Sequence, residues 1–164
     1  MIEIRQLERS HIPAVLRVQG ECYRPELIES SDCFLAKLAV YPAGCTGAWS
    51  GNLLVAYLFG HPWRKGQLVD LGSEFSPLPA NADCMYLHDL AVMPAFRGQS
   101  IPRQLLGAVI GDALKMGLNH FALVAVQHSE GFWSRWGFEV RRTLPYAPGV
   151  MGSYMTCEGV PTWR

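Results

Sequence analysis

A strongly apolar run, Met85 to Val92, gives way to the turn Met93-Pro94-Ala95-Phe96-Arg97-Gly98. Ile101, Leu105, Leu106, Val109, Ile110, Ala113 and Leu114 then recur on one helical face, and Gly117 supplies a stop. A strand that feeds an amphipathic helix through a glycine-bearing turn aims the helix's unpaired N–H groups at one point, and such a point suits a pyrophosphate. The same pattern also describes an ordinary loop and N-cap, so the surrounding chain has to decide between them.

That surrounding chain alternates strands with helices. Ile2 to Leu7 reads as an opening strand. Ser10 is placed to cap a helix that carries Pro13 in its first turn and reaches about Gln19. A short helix over Asp32 to Ala39 follows. Cys45 to Trp49 and Leu53 to Phe59 flank the turn Ser50-Gly51-Asn52 and predict a hairpin. His61 to Asp83 carries Pro62, Pro77 and Pro79 without a sustained period, so it reads as a long loop and a candidate substrate cover. Phe121 to Val126 predicts a buried strand and Ser129 to Trp136 a short helix closed by Gly137. Phe138 to Leu144 and Val150 to Cys157 predict two final strands.

Composition narrows the class. At 164 residues the chain fits a single domain over 1–164, and 49% hydrophobic against 17% charged residues predicts a compact soluble globule. Fourteen basic residues balance fourteen acidic ones, which argues against a nucleic-acid partner. Five scattered cysteines without C-x-x-C spacing read as reduced, cytoplasmic thiols rather than a disulfide framework. His11, His61, His120 and His128 lack metal-ligand clustering, so no metal is expected. The charged N-terminus and the lack of a long apolar run predict no export signal and no membrane partner.

Arg97-Gly98-Gln99-Ser100-Ile101-Pro102 resembles the Arg/Gln-x-x-Gly-x-Gly/Ala pattern of the GNAT N-acetyltransferase superfamily. Leu87-His88-Asp89-Leu90-Ala91-Val92-Met93-Pro94 is similar to the strand before that motif, and Phe132-Trp133-Ser134-Arg135-Trp136-Gly137-Phe138 to the later Phe-Tyr-x-x-x-Gly-Phe helix. Tyr86-Leu87-His88 and the long loop before it look most like the arylalkylamine N-acetyltransferase branch. The resemblance implies an α/β (α+β) fold: one mixed, mostly antiparallel sheet of about seven strands flanked by about four helices. It also implies acetyl-CoA as cosubstrate and direct acetyl transfer, within a ternary complex, to a small primary amine such as an (aryl)alkylamine. A CoA-binding module with weak or no catalysis is the alternative, and the state is expected to be monomer or homodimer.

By the same resemblance, the backbone of Leu90, Ala91 and Val92 lies along the pantetheine arm. Arg97, Gly98, Gln99, Ser100, Ile101, Pro102 and Arg103 surround the pyrophosphate, and Trp133 lies near the cofactor. Ser100 and Pro102 depart from the family's small residues, and Pro102 removes one amide donor; a lost charge-assisted bond costs about 1.5–3 kcal/mol. Pro is nonetheless well suited to a first helical turn.

Acetylating an alkyl amine at pH 7 means removing a proton from a group of pKa near 10.4, a cost of about 4–5 kcal/mol. His88 is the expected base, with Tyr86 on the same strand face as a second catalytic candidate. Asp89 belongs to the opposite face unless a bulge re-aims it. Trp133 stands where the family places a Tyr acid, and an indole is no practical acid. Protonation of the leaving thiol then falls to Tyr86, Tyr146, Ser129, water or no group, because a thiol pKa of about 8.5 makes thiolate departure tolerable. Tyr23, Glu26 and Glu29, with Trp63 and Phe75, are the expected amine-binding residues through charge and aromatic faces. Covalent catalysis by Cys84 lacks an adjacent activating His.

Overall fold

β-Branched and aromatic runs pair into one seven-stranded sheet of order β1-β2-β3-β4-β5-β7-β6, as expected for the GNAT-like architecture. The computed structural model describes residues 1–73 and 77–164. Its strands are β1 (Ile2–Gln6), β2 (Cys45–Ser50), β3 (Leu53–Trp63), β4 (Cys84–Val92), β5 (His120–Ala125), β6 (Glu139–Ala147) and β7 (Val150–Glu158). The helices are α1 (Ile12–Cys22), α2 (Ser31–Val40), α3 (Ile101–Lys115) and α4 (Glu130–Ser134). Neighbouring strands run antiparallel except β4 and β5, which are parallel and therefore need the α3 crossover between them.

The two sheet faces bury different helices. Met85 and Leu87 of β4 pack with Ile101, Leu105, Leu106 and Val109 of α3. On the other face Tyr57, Phe59 and Ala91 pack with Val15, Val18, Phe34 and Leu38 of α1 and α2. This double cover explains why the central strands read as continuous apolar runs rather than clean alternation.

Several boundaries differ from those expected. α1 begins at Ile12 rather than at a Ser10 cap, because the His11 Nδ1 accepts the Glu8 N–H at 3.0 Å and closes a 3-10 turn over Arg9–His11. It runs on to Cys22 and stops as Tyr23 and Arg24 turn extended ahead of Pro25. β3 continues four residues past Phe59 into the segment expected to be a loop. Pairing with β2 ends at Cys45↔Phe59, so Pro62 lies where no β2 acceptor asks for its missing N–H, while β4 still pairs at Pro62↔Met85.

That same corner requires Gly44. A Cβ there would meet the Gly60 carbonyl oxygen at 1.8 Å, and neither backbone can withdraw without breaking the β2–β3 start. Gly44→Ala is expected to destabilise the fold by about 2–3 kcal/mol, read in urea as a lower midpoint at unchanged slope.

Candidate active site

Pairing between β4 and β5 is confined to Met85↔Phe121, Tyr86↔Ala122 and Leu87↔Leu123. Past Leu87 the strands part, and a cleft of about 490 Å³ opens, with His88 to Val92 on one wall and Leu123, Val124 and Val126 on the other. The Met93 N–H reaches the Val55 carbonyl of β3 at 2.9 Å. Peptide direction alternates along a strand, so Ala91 also turns its groups to β3 while Leu90 and Val92 turn theirs into the cleft. This is an open sheet edge inside the molecule. Its carbonyls meet side chains: Leu90 O lies 3.0 Å from the Tyr23 hydroxyl, and Val92 O accepts from Arg97 Nε at 3.1 Å and Cys22 Sγ at 3.3 Å.

Arg97, Gly98 and Pro102 line the end of the cleft at the start of α3. Gly98 (φ +80°) and Ser100 (φ +59°) both take left-handed backbone, which folds the turn tightly onto the helix. Holding a serine there stores about 1–3 kcal/mol of strain. Ile101 and Leu105 are fully buried and anchor the first turn, in which the Gln104 N–H bonds the Ser100 carbonyl at 3.4 Å, Pro102 has no N–H, and the Ile101 and Arg103 N–H groups precede any helical carbonyl four residues back. Gln99, Ser100 and Arg103 are exposed around this corner and do not line the cleft itself.

At the other end the strand carries an irregularity. Phe59 pairs with Asp89 but Gly60 pairs with Leu87, so His88 is an extra residue opposite β3. This bulge corrects the expectation that Asp89 faces away from His88. The extra residue shifts the phase, and both side chains reach the α1–α2 side. The Asp89 carboxylate accepts from the Tyr23 hydroxyl at 2.6 Å and the Tyr57 hydroxyl at 2.8 Å. Burial pushes its pKa up to about 6 in spite of those donors and the neighbouring His88. His88 Nε2 meets Glu29 Oε1 at 2.7 Å, and its Nδ1 has no partner. Glu29 Oε2 accepts from the Gly72 N–H at 2.8 Å, with Lys37 Nζ at 3.8 Å. Burial pushes the Glu29 carboxyl up, but His88, Lys37 and the Gly72 amide outweigh it and hold the pKa at about 2.

The cleft thus gathers Tyr23, Glu29, His88, Leu90, Ala91, Val92, Arg97, Gly98, Pro102 and Trp133 from the residues expected at the site. Other expected residues fall outside it. Tyr86 is only 1% exposed, stacks on His61 at 5.6 Å between ring centres, and does not line the cleft. Trp63 packs beside Tyr86 and Val69. Glu26 is exposed and paired to Arg24 at 2.9 Å. Phe75 lies outside the described residues. Trp133 packs against Phe132 and Phe138, so the cleft meets an indole there, and the phenols that line it are those of Tyr23 and Tyr146. Burial raises the Tyr146 pKa, which keeps its proton in place.

Gln127 is a feature that no sequence signal announced. Its side chain accepts from the Arg24 N–H and donates to the Cys22 carbonyl, both at 3.0 Å. It thereby ties the end of α1 to the segment after β5. Gln127 and His128 both adopt positive φ to make this reach.

A splayed parallel pair followed by a donor-bearing helix start is the geometry that the turn motif implied. The description "Acetyltransferase (GNAT) family" matches residues 12–138. The chain belongs to the GNAT acetyltransferase family. As a GNAT enzyme it is an acetyl-CoA-dependent N-acetyltransferase. None of the curated proteins matches its sequence. Among solved structures it is similar to the loading GNATL domain of CurA from Lyngbya majuscula, with 12% identity, 96% of this chain and 98% of that one covered, and a TM-score of 0.77. It is also similar to a PaiA N-acetyltransferase from Thermoplasma acidophilum in complex with coenzyme A (17%, 96% and 99%, TM-score 0.72). A third is the ribosomal-protein-S18-alanine N-acetyltransferase from Escherichia coli (16%, 99% and 96%, TM-score 0.70). At these identities the likeness establishes the GNAT fold. Among the described residues no helix is long and apolar enough to cross a membrane.

Proposed function

We propose that the chain transfers the acetyl group of acetyl-CoA to a small primary monoamine with an apolar or aromatic body, with His88 as the base. The observation that carries this reading is His88 on the cleft wall, its ring buried against the cleft with Nε2 held by Glu29 and Nδ1 without a hydrogen-bond partner among the described residues.

The cleft's polar edges fit the cosubstrate. The cleft-facing peptide groups of Leu90 and Val92 suit the amides of an extended pantetheine arm, and the α3 start with Gly98 suits its diphosphate. Acetyl-CoA supplies the activated acyl group. His88 takes the amine's proton, directly or through a water, and so meets the cost of about 4–5 kcal/mol at pH 7. Of the two phenols that line the cleft, Tyr23 donates to Asp89, so Tyr146 is the one that supplies a proton to the departing sulfur. Direct transfer is supported by the state of the cysteines. Cys84 does not line the cleft, and burial pushes its pKa up to about 12. Burial likewise raises the thiol of Cys22, which does line it.

The acceptor class follows from what surrounds His88. Tyr23, Leu27, Leu71 and Tyr146 offer an apolar and aromatic wall. Both carboxylates that line the cleft among the described residues, Glu29 and Asp89, are already engaged by two donors each, which disfavours a second cation there. A free-thiol assay over arylalkylamines, polyamines, amino acids and peptides tests this directly. Arylalkyl monoamines are expected to release CoA fastest. Turnover confined to polyamines or peptides would overturn the acceptor reading.

A further inference from the structure

Glu29 was expected to bind the amine, but its carboxylate is 2% exposed and faces the protein's own groups. Its backbone is fixed first. The Glu29 N–H donates to Gln19 Oε1 at 2.8 Å, and its carbonyl accepts from Gln19 Nε2 at 3.0 Å, so α1 holds the residue at both peptide groups. From that fixed backbone one carboxylate oxygen reaches His88 on β4, and the other reaches Gly72 in the segment between β3 and β4.

We propose that Glu29 is a positioning residue for the base: it pins the ring proton of His88 on Nε2, leaves Nδ1 as the basic atom, and through Gly72 holds Leu71 at the wall of the cleft. The inference rests on the reading of His88 as base. A carboxylate only accepts, so the atom 2.7 Å from it must carry hydrogen, and a neutral imidazole then has its lone pair on the other nitrogen. That nitrogen is buried and has no hydrogen-bond partner among the described residues. Gly72 is tied at both ends, since its carbonyl also accepts from Cys33 Sγ at 3.1 Å. Its neighbour Leu71 lines the cleft.

Among the described residues, the charged and titratable groups facing His88 are few. Glu29 comes from the α1–α2 connection with Lys37 of α2 behind it. Asp89 is next along β4, and His61 and Tyr86 lie beside it in the sheet. Burial lowers the His61 pKa to about 3 and raises that of Tyr86, so both are neutral near pH 7. Lys37 and Glu29 therefore oppose each other in their effect on a proton at His88, and removing either gives shifts of opposite sign.

The test is made on the full chain. Nitrogen-15 spectra of the histidine rings in the wild-type protein are expected to show the neutral His88 ring protonated on Nε2; a proton on Nδ1 overturns the inference. Glu29→Gln removes the charge at constant size. It is expected to move the acid limb of the kcat/KM profile to lower pH by about one unit and to lower the plateau about tenfold, as a lost carboxylate partner should. Lys37→Met is expected to move that limb to higher pH. A purely structural role would lower the folded fraction and leave both limbs in place, which also overturns the inference. His88→Ala separates this inference from the reading beneath it. If that variant turns over normally, His88 is not the base, whatever the tautomer shows. If it is impaired while both limbs stay fixed, the base stands and the role of Glu29 falls.

Discussion

Replacing His88 with alanine is expected to lower kcat by about 10²- to 10⁴-fold at pH 7 and to leave acetyl-CoA affinity, read by calorimetry, unchanged. The separation follows from position. His88 lies on the cleft wall beside Glu29, whereas the diphosphate donors proposed above lie at the start of α3. The residual rate should climb with pH toward the amine's own pKa of about 10.4, because only solvent then removes the proton. An unchanged kcat would transfer the role to Asp89. That carboxyl shares the same sheet face through the bulge, and burial brings its pKa to about 6.

The second large effect is expected at the opposite end. Gly98→Glu adds a carboxylate beside the proposed diphosphate site, where like charges roughly 4 Å apart at an effective dielectric of 20 repel by about 4 kcal/mol. It also places a side chain at φ +80°, a conformation that costs an L-residue about 1–2 kcal/mol. Acetyl-CoA affinity should fall by about 10²-fold or more, with KM for the amine little affected at saturating cosubstrate. Gly98→Ala isolates the backbone cost, since its Cβ would meet nothing within 4 Å. Equal losses in the two variants would show that repulsion plays no part and that the diphosphate lies elsewhere.

The contrast between these two ends matches what the sequence made readable. The α3 corner is local: strand, turn and helix are contiguous, and a 3.6-residue apolar period from Ile101 to Ala113 marks both the helix and its buried face. The base end is assembled from distant pieces. Glu29 and His88 are 59 residues apart, and Gln127 meets the end of α1 across more than 100 residues, so neither contact leaves a local trace.

The bulge was equally hidden. Along Cys84 to Val92 the residues read as an ordinary apolar strand, and the extra residue shows only against its partner β3. Pro62 misled for a related reason, because its cost depends on whether β2 still flanks β3 at that height, which is a property of the sheet. Tyr23 and Glu29, both expected to bind the amine, line the cleft, yet Glu26 in the same stretch is exposed and pairs with Arg24. A 3-10 turn over Pro25–Leu27 separates them and rotates Leu27 inward instead.

Three residue pairs make up the β4–β5 ladder, so the sheet is close to two half-sheets zipped at one end and parted at the other, with α3 packed across both. Acetyl-CoA bound in the gap, as proposed, would touch both halves and act as a removable seam. Cooperativity of unfolding should therefore depend on cosubstrate concentration. Saturation at a hundred times Kd adds about 2.7 kcal/mol to the stability of the joined form.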